Sequence, residues 1–422
     1  MKNNELNVRS IMSRDSLLVT KAEQAVYALV DIKAGNKTVF GTMPANFSLV
    51  LDRSGSMDGE KMDNLKEAVG YVVDHLSDKD FVSITIFDDQ VETLIPSQLA
   101  KNRDEIKTKL EGVIARGGTQ ISDGLKVGLA EARKGYAKDR VNRILLLTDG
   151  RTWDDEDACL KLAEEAGREG IAITSVGLGE EWNEKLLLQI AEGSHGNSHW
   201  IESPISILDA FRQEVEGMQS VAATNLRILV RMSPGVKPVK AYSTIPMISD
   251  VSKKAVSESA IAIDLGSLDG KKGQAVLIEA RIAPQKEGRF RLGQVEATYD
   301  VPSQGAKGLS AKTDLFVTFT SDAAAADKVN AEVMNLAEKV SAFRLQTRAL
   351  TEAEAGNIAA ATQKLQAAST VFLNMGEGDL AEAAEQEILS LKKTGTLTAA
   401  GTKKLEYGTR KLTQALTGAM KR

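Results

Sequence analysis

The sequence predicts an α/β fold, a doubly wound and mainly parallel sheet inserted into an antiparallel β-sandwich, followed by a C-terminal helical hairpin or small bundle. Three textures carry that reading. Residues 44–220 alternate short apolar runs with amphipathic stretches, whereas 1–43 and 221–322 alternate apolar and polar residues in period two. From 323 onward Ala, Leu, Glu and Lys dominate and proline is absent. Strands covered on both faces read as continuous apolar runs, and half-buried strands read as alternation. The expected division is therefore N-terminal sandwich strands (1–43), the α/β domain (44–220), the rest of the sandwich (221–322) and the helical region (323–422).

Taken in order, Val26, Ala28, Val30 and Ile32 set one face of an early strand. In the middle, FSLVL, FVSITIF, RILLLT and IAITSVGL are buried-strand candidates, and helices are expected at Glu60–Leu76, Asp155–Glu169 and about Ile205–Met218. The later block repeats the alternation at Leu226, Ile228, Val230 and Met232, at Val276 to Ile282, and at Leu315, Val317 and Phe319. At Gly293 the phase slips between Phe290 and Leu292 on one side and Val295, Ala297 and Tyr299 on the other, which suggests a β-bulge. Val329, Val333, Leu336, Val340 and Phe343 fall at steps of four and three, one helical stripe. The following segments faintly resemble a tetratricopeptide unit but supply at most one or two imperfect copies, so paired helices are expected. The basic stretch Lys403–Arg422 is expected to dock on its own acidic protein.

Composition excludes several functions. The net charge is −5, which gives no global attraction to nucleic acid. Three His and one Cys cannot build a Cys/His zinc cluster, so any metal must be a hard cation held by oxygen. No stretch reaches the roughly 18 apolar residues of a membrane span, and MKNNELNVRSIM lacks a signal-peptide core; the cytoplasm is the expected compartment.

The informative constellation lies at three strand or loop ends. Phe47–Met57 is an apolar run that delivers Asp52, Ser54 and Ser56 at alternate positions around Gly55. Arg116-Gly117-Gly118-Thr119-Gln120 brings a hydroxyl just before a helix, and Ile144–Gly150 ends in Asp149. In a doubly wound sheet the carboxyl ends of the strands form the ligand crevice, and crowded hydroxyls and carboxylates there suit a small cation wanting about six oxygens. The set resembles the von Willebrand factor type A (VWA) domain and its metal-ion-dependent adhesion site (MIDAS), Asp-x-Ser-x-Ser with a distant Thr and Asp, over about residues 44–220. The resemblance implies Mg²⁺ (Mn²⁺ or Ca²⁺ as substitutes) at Asp52, Ser54, Ser56, Thr119 and Asp149. It also implies a partner protein whose Glu or Asp completes the metal shell.

Rival chemistries fit poorly. A haloacid-dehalogenase phosphatase needs a second acid two residues after Asp52, where Ser54 stands. Ser54-Gly55-Ser56 is no nucleophile elbow, and no phosphate loop or HExxH helix is present. His195 and His199 read as a loop entering a short final strand, and Cys159 as core. Met57, Gln120, Arg151 and Trp153 are candidate partner contacts beside the site. The expected function is a non-enzymatic, metal-dependent protein-interaction module. The alternatives are an accessory subunit of a MoxR-like AAA+ ATPase, which the resemblance suggests, and a self-assembling structural protein.

Overall fold

The computed structural model describes residues 5–35, 43–152, 154–252 and 256–414. In chain order the strands are β1 (Leu6–Met12), β2 (Ser16–Leu18), β3 (Gln24–Ala34), β4 (Ala45–Asp52), β5 (Phe81–Phe87), β6 (Val91–Leu99), β7 (Val141–Thr148), β8 (Ala172–Leu178), β9 (Ser198–Ile201), β10 (Val221–Met232), β11 (Val236–Ile245), β12 (Ser249–Asp250), β13 (Ala260–Asp269), β14 (Gln274–Ile282), β15 (Gly288–Val301) and β16 (Ala306–Thr320). The main helices are α1 (Glu60–His75), α2 (Arg103–Glu111), α3 (Ile121–Lys134), α4 (Glu156–Glu169), α5 (Glu184–Gly193), α6 (Ile207–Gln219), α7 (Ala331–Glu354), α8 (Ile358–Asn374), α9 (Gly378–Thr394) and α10 (Ala399–Lys411).

The chain folds into two compact units, one of residues 39–225 with 300–307, the other of 1–38, 226–299 and 308–422. The first unit holds a six-stranded sheet in the order β6-β5-β4-β7-β8-β9, parallel except for the antiparallel edge strand β6. All eight positions of β4 and of β7 are buried, which is why ANFSLVLD and VNRILLLT carry no outward polar phase. The strand order runs outward in opposite directions from β4 and β7, so the switch point lies between these two neighbours.

Helix α1 buries Met62, Leu65, Val69, Val72 and Val73 at helical spacing, and α6 joins the same apolar cluster through Phe211 and Val215. The sequence expectation for α6 began at Ile205, but Pro204–Ser206 forms a 3₁₀ turn and Ile205 is exposed. Helix α6 is also tied to the sheet by charge. Glu214 is buried and accepts hydrogen bonds from Arg143 at 2.8 Å and from the Thr174 hydroxyl at 2.8 Å, with His199 Nε2 at 3.1 Å. Burial works to raise its carboxyl, yet Arg143, His199 and Thr174 together hold it far below the usual carboxylate range. Nothing in the local pattern around His199 indicates that it faces a buried acid.

The second unit contains two five-stranded sheets, β1-β3-β14-β11-β12 and β13-β10-β15-β16-β2. In the first sheet the registers are antiparallel, with Val276 opposite Val30 and Leu277 opposite Leu29. One pairing departs from the all-antiparallel expectation: β2 runs parallel to β16, Leu17 opposite Phe319. At Gly293 the burial phase does switch, and the cause is close backbone approach, since a Cβ there would lie 2.6 Å from the Arg231 carbonyl oxygen.

The C-terminal helices share a core with the first sheet. Leu29, Tyr242, Ile245 and Leu277 from the first sheet share one apolar cluster with Val333, Leu336, Phe343, Leu365, Phe372 and Leu405 from the helices. Both faces of β14 are therefore covered, and its alternation is blurred by Leu277. Val329 drops out of the expected stripe because α7 starts at Ala331 and leaves it half exposed. The basic α10 docks on its own unit, as expected from the sequence. The Arg410 carbonyl accepts from Ile248 N at 2.9 Å, and the Lys339 ammonium donates to the Leu412 carbonyl at 2.7 Å. Lys421 and Arg422 lie outside the described residues.

Removing one member of the Glu214 pair leaves a buried Arg143 uncompensated, so Glu214→Gln should lower unfolding free energy by about 3–5 kcal/mol at pH 7. A carboxyl with a depressed folded pKa contributes stability above its unfolded value, near 4.3, and loses it as pH falls. Urea unfolding at pH 7 and at pH 3 should therefore show the wild-type advantage shrinking in acid. Gly293→Ala should also destabilise, by about 1–3 kcal/mol, because backbone rather than a movable side chain opposes the new methyl.

Candidate functional site

The site forms where β4 and β7 end side by side, Leu51 opposite Leu147. Asp52 closes β4 and is fully buried. Its Oδ1 accepts from Ser54 N at 2.7 Å and its Oδ2 accepts from the Thr148 hydroxyl at 2.5 Å. The chain then makes a short 3₁₀ turn, Gly55–Met57, before α1. That turn sets Ser54 Oγ 3.0 Å from Ser56 Oγ, and Ser56 Oγ donates to Asp149 Oδ1 at 2.7 Å. Asp149, directly after β7, is buried.

Thr119 arrives from the loop before α3. Backbone bonds pin this loop against the first turn: Gly55 N donates to the Gly117 carbonyl at 3.1 Å, and Arg116 N to the Arg53 carbonyl at 2.7 Å. Gly117 has φ +68°, and any Cβ there would run into the Asp89 carboxylate, so this position requires glycine. A Cβ built on Gly150 would lie 2.8 Å from Thr119 Oγ1, which places that hydroxyl against the turn following Asp149. Asp52, Ser54, Ser56, Thr119 and Asp149 thus converge at one rim from three separate segments.

Two participants escaped the sequence reading. Thr148 orients Asp52, as above. Lys61, in the first turn of α1, donates to the Ser56 carbonyl at 3.1 Å and makes a short ion pair with Asp149 Oδ2. Its only signal in the sequence is a cation one helical turn beyond the Ser-rich loop. Arg53, although adjacent to Asp52, is directed elsewhere: its buried guanidinium bonds Asp88 Oδ2 and Glu92 Oε2, each at 3.0 Å. Burial opposes ionisation of Asp88, but a bond from Gln90 N together with Arg116 and Arg53 holds it below its ordinary value.

Among the proposed partner contacts, Met57 is corrected. It is fully buried in the apolar cluster beneath the turn, because the 3₁₀ geometry points it inward as an anchor for the loop. Gln120 is half-buried and donates to Asp155 Oδ2 at 3.0 Å, while Arg151 is exposed. Trp153 lies outside the described residues. Cys159 is core, its thiol pushed up by burial and by Asp155.

Electrostatically the rim is under tension. Burial pushes the Asp52 carboxyl up to about 6; the bonds from Thr148 and Ser54 work against that, and the nearby Asp149 charge adds to it. Among the described residues no group of three or more His, Cys, Asp or Glu could hold a metal. The donor chemistry at this rim is different, two carboxylates and three hydroxyls, all oxygen: the Ser54 and Ser56 hydroxyls lie 3.0 Å apart, Ser56 donates to Asp149, and the Ser54 amide donates to Asp52. Such a set fits a hard divalent cation and no soft one.

Comparison with known proteins agrees with this architecture. Residues 46–213 match the model of the von Willebrand factor type A domain, and 331–415 match the Sll0103-like C-terminal alpha-helical domain. The uncharacterized protein sll0103 of Synechocystis sp. (strain ATCC 27184 / PCC 6803 / Kazusa) is 35% identical over 273 residues, 63% of this chain and 64% of that protein. The uncharacterized protein YfbK of Escherichia coli (strain K12) is 25% identical over 217 residues, 50% of this chain and 38% of that protein. The chain thus spans under two thirds of either relative. A solved structure of a von Willebrand factor type A protein from Catenulispora acidiphila covers 97% of this chain and 98% of its own, with TM-score 0.79 and 17% identity, a likeness of fold. The chain therefore carries a VWA-like α/β domain and a C-terminal helical domain. VWA domains are generally protein-interaction modules. No helix among the described residues is long and apolar enough to cross a membrane.

The raised Asp52 carboxyl yields a sign-definite expectation. A folded pKa above the unfolded one makes the native state bind more protons between about pH 4 and 6, so Asp52 costs stability as pH rises through that window. In EDTA at pH 7.5, Asp52→Asn should unfold at higher urea than wild type, by about 1–2 kcal/mol, and the two should converge near pH 4. A less stable Asp52→Asn in EDTA at neutral pH would contradict this electrostatic account.

Proposed function

We propose that this protein is a metal-dependent protein-interaction module, non-enzymatic, whose partner presents a Glu or Asp side chain to a Mg²⁺ held at Asp52, Ser54, Ser56, Thr119 and Asp149; Mn²⁺ or Ca²⁺ could substitute. The observation that carries the reading is the convergence of two buried strand-end carboxylates with three hydroxyls at the switch point of a VWA-like sheet. A divalent cation there supplies a positive charge that few direct carboxylates neutralise, and it thus attracts an incoming carboxylate.

The chain's own residues prepare that event. Thr148 and Ser54 N fix the Asp52 carboxylate, Ser56 bridges to Asp149, and the Gly117 loop holds Thr119 in place. Arg53 is held by Asp88 and Glu92, so it does not neutralise Asp52. Arg151, exposed beside the rim, is placed to meet an acidic partner surface.

The test is affinity capture from a native cytosolic extract in Mg²⁺ and again in EDTA, with Asp52→Ala in Mg²⁺ as the third arm. A partner held by wild type in Mg²⁺ and lost from both other arms is expected. An ATPase among the captured proteins would make this chain an adaptor of an energy-dependent machine, and capture of the same chain would make it self-assembling. Equal capture in all three arms would sink the metal-site reading and move attention to the sandwich and helices.

A further inference from the structure

Lys61 is the one cation whose ammonium contacts the rim among the described residues. It bonds the Ser56 carbonyl at 3.1 Å and pairs with Asp149 Oδ2, the carboxylate oxygen that Ser56 leaves free. Its side chain is about one-third exposed while that of Asp149 is fully buried. The anchoring is asymmetric. Asp149 is fixed by the end of β7, whereas the ammonium sits at the end of a flexible stem with water within reach.

We propose that Lys61 is a tethered counter-cation that competes with the divalent metal for Asp149 and thereby sets the site's metal affinity. The inference rests on the metal-site reading above and deepens it. Without a cation, Asp52 and Asp149 would be two buried like charges at the ends of adjacent strands, an arrangement that costs Coulomb energy. The Lys61 ammonium offsets one of them and keeps the Ser56–Asp149 bridge assembled. A divalent cation must then either draw the ammonium away from Asp149 or bind beside a positive charge. Either way its affinity is lowered and the site responds to metal over a higher concentration range. The stem gives Lys61 an exit to solvent that Arg53, locked between Asp88 and Glu92, does not have.

The test measures Mn²⁺ binding to the full-length protein from the free-ion EPR signal, for wild type, Lys61→Met and Lys61→Arg, at low and at physiological salt. Lys61→Met should bind Mn²⁺ about tenfold more tightly than wild type, with the gap narrowing as salt rises. Lys61→Arg retains the charge and should stay within about threefold of wild type. A second readout guards against simple misfolding. In EDTA, Lys61→Met should melt below wild type, and Mn²⁺ should raise its Tm more than it raises that of wild type. Equal or weaker Mn²⁺ binding by a folded Lys61→Met would overturn the counter-cation role while leaving the metal site standing. No Mn²⁺ binding by any of the three proteins would overturn the metal-site reading itself, and the inference with it.

Discussion

The structure turns on the placement of two carboxylates. Parallel neighbours β4 and β7 deliver Asp52, the last residue of β4, and Asp149, directly after β7, to the same end of the sheet, and both side chains are buried. Burying one carboxylate is costly, and burying two beside each other is worse unless partners gather around them. Much of the local structure can be understood as meeting that cost. Thr148 and the Ser54 amide serve Asp52; Ser56 and Lys61 serve Asp149; the 3₁₀ turn anchored by Met57 brings Ser54 and Ser56 within reach. The doubly wound order makes this rim possible, because only at the switch point do the loops after two adjacent strands lead away in opposite directions and leave a crevice.

A second buried acid shows the opposite solution. Glu214 sits against Arg143, near the start of the same strand β7 whose end leads into Asp149. Arg143 and Asp149 are thus about 20 Å apart along the chain direction at roughly 3.3 Å per residue. Glu214 is satisfied by Arg143, Thr174 and His199, all from within the fold, and its carboxyl is held low. That cluster is internal to the fold and ties α6 to the sheet. At the rim, Asp52 is pushed up even with its hydrogen bonds made, and a cation on a flexible stem supplies the compensation. One strand thus carries a closed charge network at its base and an open one at its tip. The tip is where an external ligand can still change the energy.

What the sequence revealed follows from which forces are local. Apolar-run patterns located β4 and β7 because their burial is complete, whereas the period-two pattern of Val26 to Ile32 located β3 although Leu29 and Asp31 on its other face are buried as well. The five rim residues were legible because strand ends and Ser/Gly turns are short-range features. Facts that depend on three-dimensional neighbours were not legible. Met57 reads as a rim residue until the 3₁₀ turn buries it, and Lys61 reads as an ordinary helix-surface cation until Asp149 arrives from 88 positions away. The helical region was legible as paired helices, but nothing in its own stripe shows that Leu29 and Leu277 share its core. The parallel pairing of β2 with β16 depends on a three-residue strand, too short to carry any period of its own.

Charge accounting at the rim explains why hydroxyls rather than further acids suit a site that captures a carboxylate. Two ionised Asp and one ammonium sum to a single negative charge, and three hydroxyls add none. A partner carboxylate approaching that set alone would bring a second uncompensated negative charge into a poorly hydrated crevice, which is strongly unfavourable. On the proposed reading, a divalent cation bound beside a retained Lys61 ammonium would bring the same rim to a single positive charge, which one incoming carboxylate would neutralise; with the ammonium drawn away the loaded rim would be neutral. Replacing Ser54, Ser56 or Thr119 by an acid would hold a cation more firmly but would cancel the residual charge that attracts a partner. On the proposed reading Lys61 shifts the balance the other way by weakening the hold on metal. Metal affinity and carboxylate capture would then share one electrostatic origin, held in two positions, the Asp directly after one strand and a Lys in the first turn of the helix beside it.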